Sequence, residues 1–420
     1  MSQPKVTRPK GTQDLLPPES ERRRSVEGVA RSVAARYGFR EIITPTFEHA
    51  DVFVKASGET SDIVLKEMYQ FRDRAERELV LRPEGTPGVV RAVLENRLAV
   101  PARLYYLGSY FRYGRPQKGR QREFGQVGVE ALGEASGWTD AELIAFGVDF
   151  FSELGITDCR VLLTSIGCRE CRPAYREQLV GYLSVRRPEL CPDCLVRLER
   201  NPMRVFDCKV ETCKVAVADA PKPRSGLCNS CEEHFGVVRQ ALDSRGLAYE
   251  IDDRLVRGLD YYSRTTFEYT SSRLGAQDSL GGGGRYDYLF EEFGGPPTPA
   301  AGLAIGLERT MLASPPTPEP ARRRLAFVVW FSEAELEHAV KLADRLRAAG
   351  IPTRLDFDAL GFEKKFKHQV KAADSQGASA CVIIGPDELA HGVYSVKNLE
   401  TGEQTQVPAN VISEHLRATL

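Results

Sequence analysis

Residues 103–130 read RLYYLGSYFRYGRPQKGRQREFGQVGVE, and no other stretch limits the fold as strongly. The aromatic and aliphatic run Leu104–Tyr113 predicts a strand, Gly114–Gly119 with Pro116 a turn, and Phe124–Glu130 a returning strand. A connection this short cannot hold a crossover helix, so the two strands must pair antiparallel. The segment also concentrates charge. From Arg103 to Phe124, six cations (Arg103, Arg112, Arg115, Lys118, Arg120, Arg122) stand against one carboxylate, Glu123, in a chain of formal net charge −1. Guanidinium forks bind phosphate oxygens in pairs, so the hairpin suits a polyphosphate. The plainer alternative is a solvated hairpin whose cationic edge discourages aggregation.

The same pattern continues to about residue 320. Strands are predicted at Glu78–Leu81, Cys159–Thr164 and Thr265–Thr270, and helices at Ser20–Tyr37 and Thr139–Leu154, the latter with Thr139 and Asp140 as candidate caps. This points to an α+β block on an antiparallel sheet, interrupted at residues 167–235 by a cysteine-rich, mostly helical insertion with turns at Pro188, Pro192 and Pro202. Ala313–Arg324 (ASPPTPEPARRR) reads as a stiff linker. Beyond it, strands (Leu325–Phe331, Ile351–Phe357, Ala378–Ile384) alternate with helices (Ser332–Ala349, Phe362–Gln376). A hairpin, Tyr394–Asn398 with Glu403–Val407, and a last helix follow. That is a small α/β domain over residues 322–420.

Ordered blocks along the chain resemble the class II aminoacyl-tRNA synthetases, and within them histidyl-tRNA synthetase. Lys10–Pro17 (KGTQDLLP) is similar to the family's opening, and Tyr37–His49 (YGFREIITPTFEH) resembles motif 1. Leu81–Ala92 (LRPEGTPGVVRA) resembles the amino-acid loop, and the hairpin resembles motif 2. Arg257–Glu268 (RGLDYYSRTTFE) and Gly281–Asp287 (GGGGRYD) resemble the two histidine-specific motifs, and Ala300–Thr310 (AAGLAIGLERT) motif 3. The resemblance implies a catalytic domain (1–320), with class II antiparallel sheet and flanking helices, and a C-terminal anticodon-binding domain (322–420). It implies ATP-dependent activation of L-histidine to the adenylate and transfer to tRNA(His), with Mg²⁺ on the pyrophosphate, and a homodimer through motif 1. The basic–acidic balance of the C-terminal part, which is even, would not by itself suggest RNA.

Joining the histidine carboxylate to the α-phosphorus brings two anions together, so the site needs fixed cations. The resemblance gives this role to Arg112 and Arg257, with a surface ion pair as the plainer reading of Arg257. It gives adenine stacking and the γ-phosphate to Arg309, and the β- and γ-phosphates to Arg120 and Arg122. Glu130, Tyr262 and Tyr286 would receive the imidazole, and Glu84 and Thr86 the α-ammonium, with Gln126 at the carboxylate. Strand alternation would send Tyr261 and Tyr262 to opposite faces, leaving one for the pocket. Gly281–Gly284 would let backbone approach the substrate or form a flexible turn. Gly114 departs from the resemblance, since class II motif 2 usually has a glutamate two residues after its arginine.

Ten cysteines without a secretory segment suggest thiols or metal ligands in a cytoplasmic protein. No apolar run approaches the about 20 residues that span a bilayer. The CxxC pairs Cys191/Cys194 and Cys228/Cys231 predict one structural zinc site on those four residues. Cys208 and the pair Cys168/Cys171 remain over, and metal-free thiols are the alternative. A non-catalytic regulatory paralogue from histidine biosynthesis is a second reading of the whole chain. Those paralogues generally lack the C-terminal domain and have degraded histidine motifs.

Overall fold

A computed structural model describes residues 6–58, 61, 63–275, 278–316, 323–357 and 365–420. The chain divides into two compact units, Met1–Pro315 and Pro316–Leu420. Part of the expected linker (317–322) and the expected start of the helix at Phe362 lie outside the described residues.

In chain order the first unit holds β1 (Arg40–Glu41), β2 (Phe47–His49), β3 (Tyr69–Arg72), β4 (Glu78–Leu81), β5 (Ala102–Phe111), β6 (Glu123–Leu132), β7 (Arg160–Ser165), β8 (Glu250–Ile251), β9 (Ser263–Thr270), β10 (Ser279–Arg285) and β11 (Ala300–Gly306). Eight of them form one sheet in the order β1-β5-β6-β11-β10-β9-β7-β8, and β2-β4-β3 form a second. In the large sheet, β5 through β7 pair antiparallel, and only the short outer strands β1 and β8 pair parallel.

Alternation along the strands explains how one sheet builds both a core and a site. On β6, Val127, Val129 and Ala131 join a core cluster with residues of the helices Glu19–Arg36, Gly137–Glu153 and Asn229–Ser244. On β9, Phe267 and Tyr269 do the same. Full burial of such side chains contributes about 1.5–3 kcal/mol each before entropic costs. The intervening residues, Gln126, Gly128 and Glu130 on β6 and Glu268 on β9, take the opposite face.

The helix expected from Thr139 begins at Gly137 and is capped by Ser136, whose hydroxyl accepts from the Trp138 amide at 3.2 Å. Asp140 is instead buried, 2.6 Å from Arg285 and 2.8 Å from His234. A capping assignment failed here because a buried guanidinium claims the carboxylate. In the insertion, Pro192 and Pro202 each open a helical turn, where a missing amide donor costs nothing.

The second unit has β12 (Arg323–Trp330), β13 (Thr353–Arg354), β14 (Ala378–Ile384), β15 (Val393–Asn398) and β16 (Gln404–Pro408), ordered β13-β12-β14-β15-β16. β12 pairs parallel with β13 and β14, and the C-terminal hairpin adds antiparallel strands. The strand expected over Ile351–Phe357 shrinks to two residues, and a short helix, Pro386–His391, was not foreseen. A full Ser332/Glu335 capping box opens the helix Glu333–Ala348.

Candidate active site

The face of the large sheet opposite the helix-covered core opens into a cleft of about 400 Å³. Arg112, Arg257 and Arg309 come from three distant stretches of chain, and all three line it. Glu84, Thr86, Arg120, Gln126, Tyr262 and Tyr286 line it as well. Glu130 lies just beneath the wall, fully buried, and Arg122 points elsewhere.

One end is a buried polar nest. Glu130 accepts from the Thr86 hydroxyl at 2.6 Å and from the Tyr286 hydroxyl. Burial pushes the Glu130 carboxyl up to about 8, against the pull of those two hydrogen bonds. Glu84 accepts from Ser57 at 3.2 Å and from Tyr261 at 2.7 Å. Burial raises its pKa too, with Arg112 the main opposing influence. Gly302 faces Glu130 across the β6–β11 register, and a Cβ there would lie 1.7 Å from the carboxylate. The bare backbone makes the room that the carboxylate occupies.

The other end is cationic. Arg112 donates from Nε to the Pro83 carbonyl at 2.8 Å and lies over Phe124. Arg257, its side chain 17% exposed, pairs with Glu268 at 3.1 Å. Burial disfavours its charge, yet Tyr262 and Glu268 hold its pKa above the ordinary value. Its Nε is buried and has no partner among the described residues, as is Gln126 Oε1. Both are groups that a ligand could satisfy. Arg309 donates to the carbonyls of Gly119 (3.2 Å) and Ser279 (2.8 Å). Burial lowers its pKa, as does the charge of Arg120.

The glycine run expected as a close-approach strand or a turn is the central strand β10. A Cβ on Gly282 would stand 2.0 Å from Arg257 Nη1, so the glycine makes way for the guanidinium.

Several expectations change. Tyr261 and Tyr262 both line the cleft, with ring centroids 4.9 Å apart, because they sit in a turn before β9 and strand alternation does not apply. The Thr86 hydroxyl, expected at the ammonium, is bonded to Glu130. Arg122 stacks on Tyr113 at 3.8 Å and does not enter the cleft. Beside the unusual Gly114, the π-helical turn Ile63–Glu67 brings up Glu67, which pairs with Arg120 at 2.5 Å. The sequence carried no signal for Glu67, and Glu268 was noticed only as the end of a motif.

The expected zinc set is also corrected. Cys191 and Cys194 group with Cys208 and Cys213, whereas Cys228 and Cys231 group with Cys168 and Cys171. Matching one CxxC pair to the other missed this: Cys191 and Cys194 have the nearer Cys208 and Cys213, and Cys228 and Cys231 meet Cys168 and Cys171 where the insertion leaves β7 and returns to the helix Asn229–Ser244.

A family model described as histidyl-tRNA synthetase matches residues 11–170 and 211–310, and one described as anticodon binding domain matches residues 326–419. The chain belongs to the histidyl-tRNA synthetase family. A histidine–tRNA ligase of Moorella thermoacetica is 47% identical over 418 residues, covering 98% of each chain. One from Halothermothrix orenii is 44% identical over 97% of this chain and 98% of its own length. Among solved structures, apo S. aureus histidyl-tRNA synthetase superposes with a TM-score of 0.81 at 33% identity, over 98% of this chain and 100% of that one. Histidine–tRNA ligases that match this chain over nearly its whole length, both units included, disfavour the reading as a regulatory paralogue. Among the described residues, no helix is long and apolar enough to cross a membrane.

Proposed function

We propose that the chain activates L-histidine with ATP, forming histidyl-adenylate and pyrophosphate, and then transfers histidine to the 3′ end of tRNA(His). The observation that carries the reading is the meeting, in one cleft, of three remote guanidinium groups with a buried two-carboxylate pocket.

Histidine is a zwitterion with a donor–acceptor ring, and the cleft has a complement for each part. Glu84 takes the α-ammonium. Glu130, steadied by Thr86 and Tyr286, takes the imidazole N–H, and Tyr262 contacts the ring. A buried polar partner left unsatisfied by an apolar amino acid gives strong rejection. Arg112 and Arg257 hold the histidine carboxylate against the α-phosphate, and Gln126 Oε1 is a spare acceptor beside them.

The carboxylate oxygen attacks the α-phosphorus in line, and the bond to the pyrophosphate oxygen breaks. No proton moves. The two guanidinia stabilise the charge on the equatorial oxygens, and the orphan Arg257 Nε is a donor for one of them. Arg309 stacks on the adenine and reaches the γ-phosphate, and Arg120 reaches the β- and γ-phosphates, leaving Glu67. Arg122 serves the loop by stacking on Tyr113.

Mg²⁺ would arrive with the nucleotide, since it binds chiefly phosphate and water oxygens and needs few protein ligands. Glu67, Glu84 and Glu308 are the carboxylates in the wall, and Glu308 already accepts from the Gly125 amide at 2.8 Å. In the second step a ribose hydroxyl of tRNA attacks the adenylate carbonyl, the bond from carbonyl carbon to phosphate oxygen breaks, and AMP leaves with the hydroxyl proton. The anticodon-binding unit supplies the remote tRNA contact. Ile43 and Phe47, 86% and 55% exposed within the motif 1 segment, favour a homodimer through that surface. Histidine-dependent ATP–pyrophosphate exchange tests the activity. Exchange driven by histidine and by no other amino acid is expected, and its absence would overturn the proposal.

A further inference from the structure

Eight of the ten cysteines fall into two groups of four. The first, Cys168, Cys171, Cys228 and Cys231, joins the two ends of the insertion. The second, Cys191, Cys194, Cys208 and Cys213, lies wholly inside it. In each group every sulfur lies within 4.8 Å of every other. The individual separations are 3.5 Å (Cys168–Cys171), 3.9 Å (Cys168–Cys228), 3.6 Å (Cys171–Cys231) and 3.8 Å (Cys191–Cys208).

Those spacings identify what they suit. A tetrahedron of thiolates with zinc–sulfur bonds of 2.3 Å has sulfur–sulfur edges of about 3.8 Å. A disulfide needs about 2.05 Å, and all eight thiols are free. A four-iron cluster would put a cube of iron and sulfide between the cysteines and force them further apart. Backbone amides also point at the sulfurs: Cys228 N–H donates to Cys171 Sγ and Cys191 N–H to Cys213 Sγ, both at 3.1 Å. Such bonds support thiolates around a metal.

We propose that each group binds one zinc ion through four thiolates, giving two closed structural sites. Binding releases thiol protons and involves no redox change. The first site fastens the insertion beside β9, where Ile166 and Gly167 pair with Arg264 at 2.8 Å and Arg172 donates to the Tyr262 carbonyl. The second gathers the turns around residues 192–213. From there Arg204 reaches the Arg257 carbonyl at 3.3 Å, and Asn201 reaches Asp260 at 2.7 Å. Both sites therefore brace residues 257–262, through the Arg257 and Tyr262 carbonyls and the Asp260 carboxylate.

The test is a zinc count on the full chain, which is independent of whether the chain activates histidine. Elemental analysis of protein purified without chelator should give about two equivalents per chain. Cys171→Ser and Cys208→Ser should each keep about one, and the double variant none. Because a variant could misfold, the wild-type protein is also titrated with a thiol-blocking mercurial and a chromogenic zinc chelator, which should register about two equivalents released. Fewer than about half an equivalent in the wild type overturns both sites. A wild-type count near one overturns the site whose substitution leaves that count unchanged.

Discussion

At one end of the cleft, Glu84 and Glu130 are buried and already hold protein hydroxyls; at the other, Arg120 and Arg309 are only partly buried and rest on a carboxylate and on backbone carbonyls. The first arrangement is fixed before substrate arrives, so it can reject amino acids that leave a polar group unpaired. The second must follow phosphates that change charge and partner during the reaction. Substitutions at the buried end should therefore act on histidine recognition, and those at the cationic end on ATP and turnover. Arg257, at the cationic end, offers the most severe test. Arg257→Ala should lower kcat for pyrophosphate exchange on the order of 10³-fold while calorimetric histidine affinity changes only several-fold. Collapsed histidine affinity with normal turnover would place Arg257 at the wrong end.

Glu130→Gln should raise the histidine KM by about 100-fold and leave the ATP KM unchanged. It should also alter the response of stability to pH. The folded pKa of Glu130 is raised, so its contribution is fully present below the ordinary value of 4.5 and is lost as pH rises through about 8. Chemical denaturation between those limits should show wild type losing stability relative to Glu130→Gln, and parallel curves would refute the buried carboxyl as the source. Arg309→Ala is a smaller perturbation at the opposite end. Loss of adenine stacking should raise the ATP KM about tenfold, with histidine affinity intact.

How much of this was legible in sequence depended on whether a residue's role was local. The hairpin at residues 103–130, the strands at Glu78–Leu81 and Ala378–Ile384, and the change to strand–helix alternation after the linker followed from spacing alone. Arg112, Arg257 and Arg309 were singled out by resemblance, and their common cleft needed the fold. What failed were judgements that assumed a local partner. Asp140 looked like a cap until Arg285, 145 residues away, claimed it. Cys191 and Cys194 failed the other way: matched by motif to the distant Cys228 and Cys231, they group with the nearer Cys208 and Cys213. Tyr261 was sent to the wrong face by a strand periodicity that begins two residues later.

That misplaced tyrosine gives the finest test of the buried end. Tyr261 donates to Glu84 at 2.7 Å, and this bond draws the Glu84 pKa down against the effect of burial. Tyr261→Phe removes one hydroxyl, so Glu84 should ionise less readily and grip an ammonium less well. A lost hydrogen bond to a charged acceptor is worth about 1.5 kcal/mol, which corresponds to a rise in histidine KM of roughly tenfold, with kcat nearly unchanged. Imidazolepropionate, which keeps the ring and carboxylate but lacks the ammonium, separates recognition from mere packing. As a competitive inhibitor it should bind wild type and Tyr261→Phe equally, because it never used Glu84. If the variant weakens the two ligands alike, Tyr261 acts by shaping the pocket, and the ammonium must be held by another group.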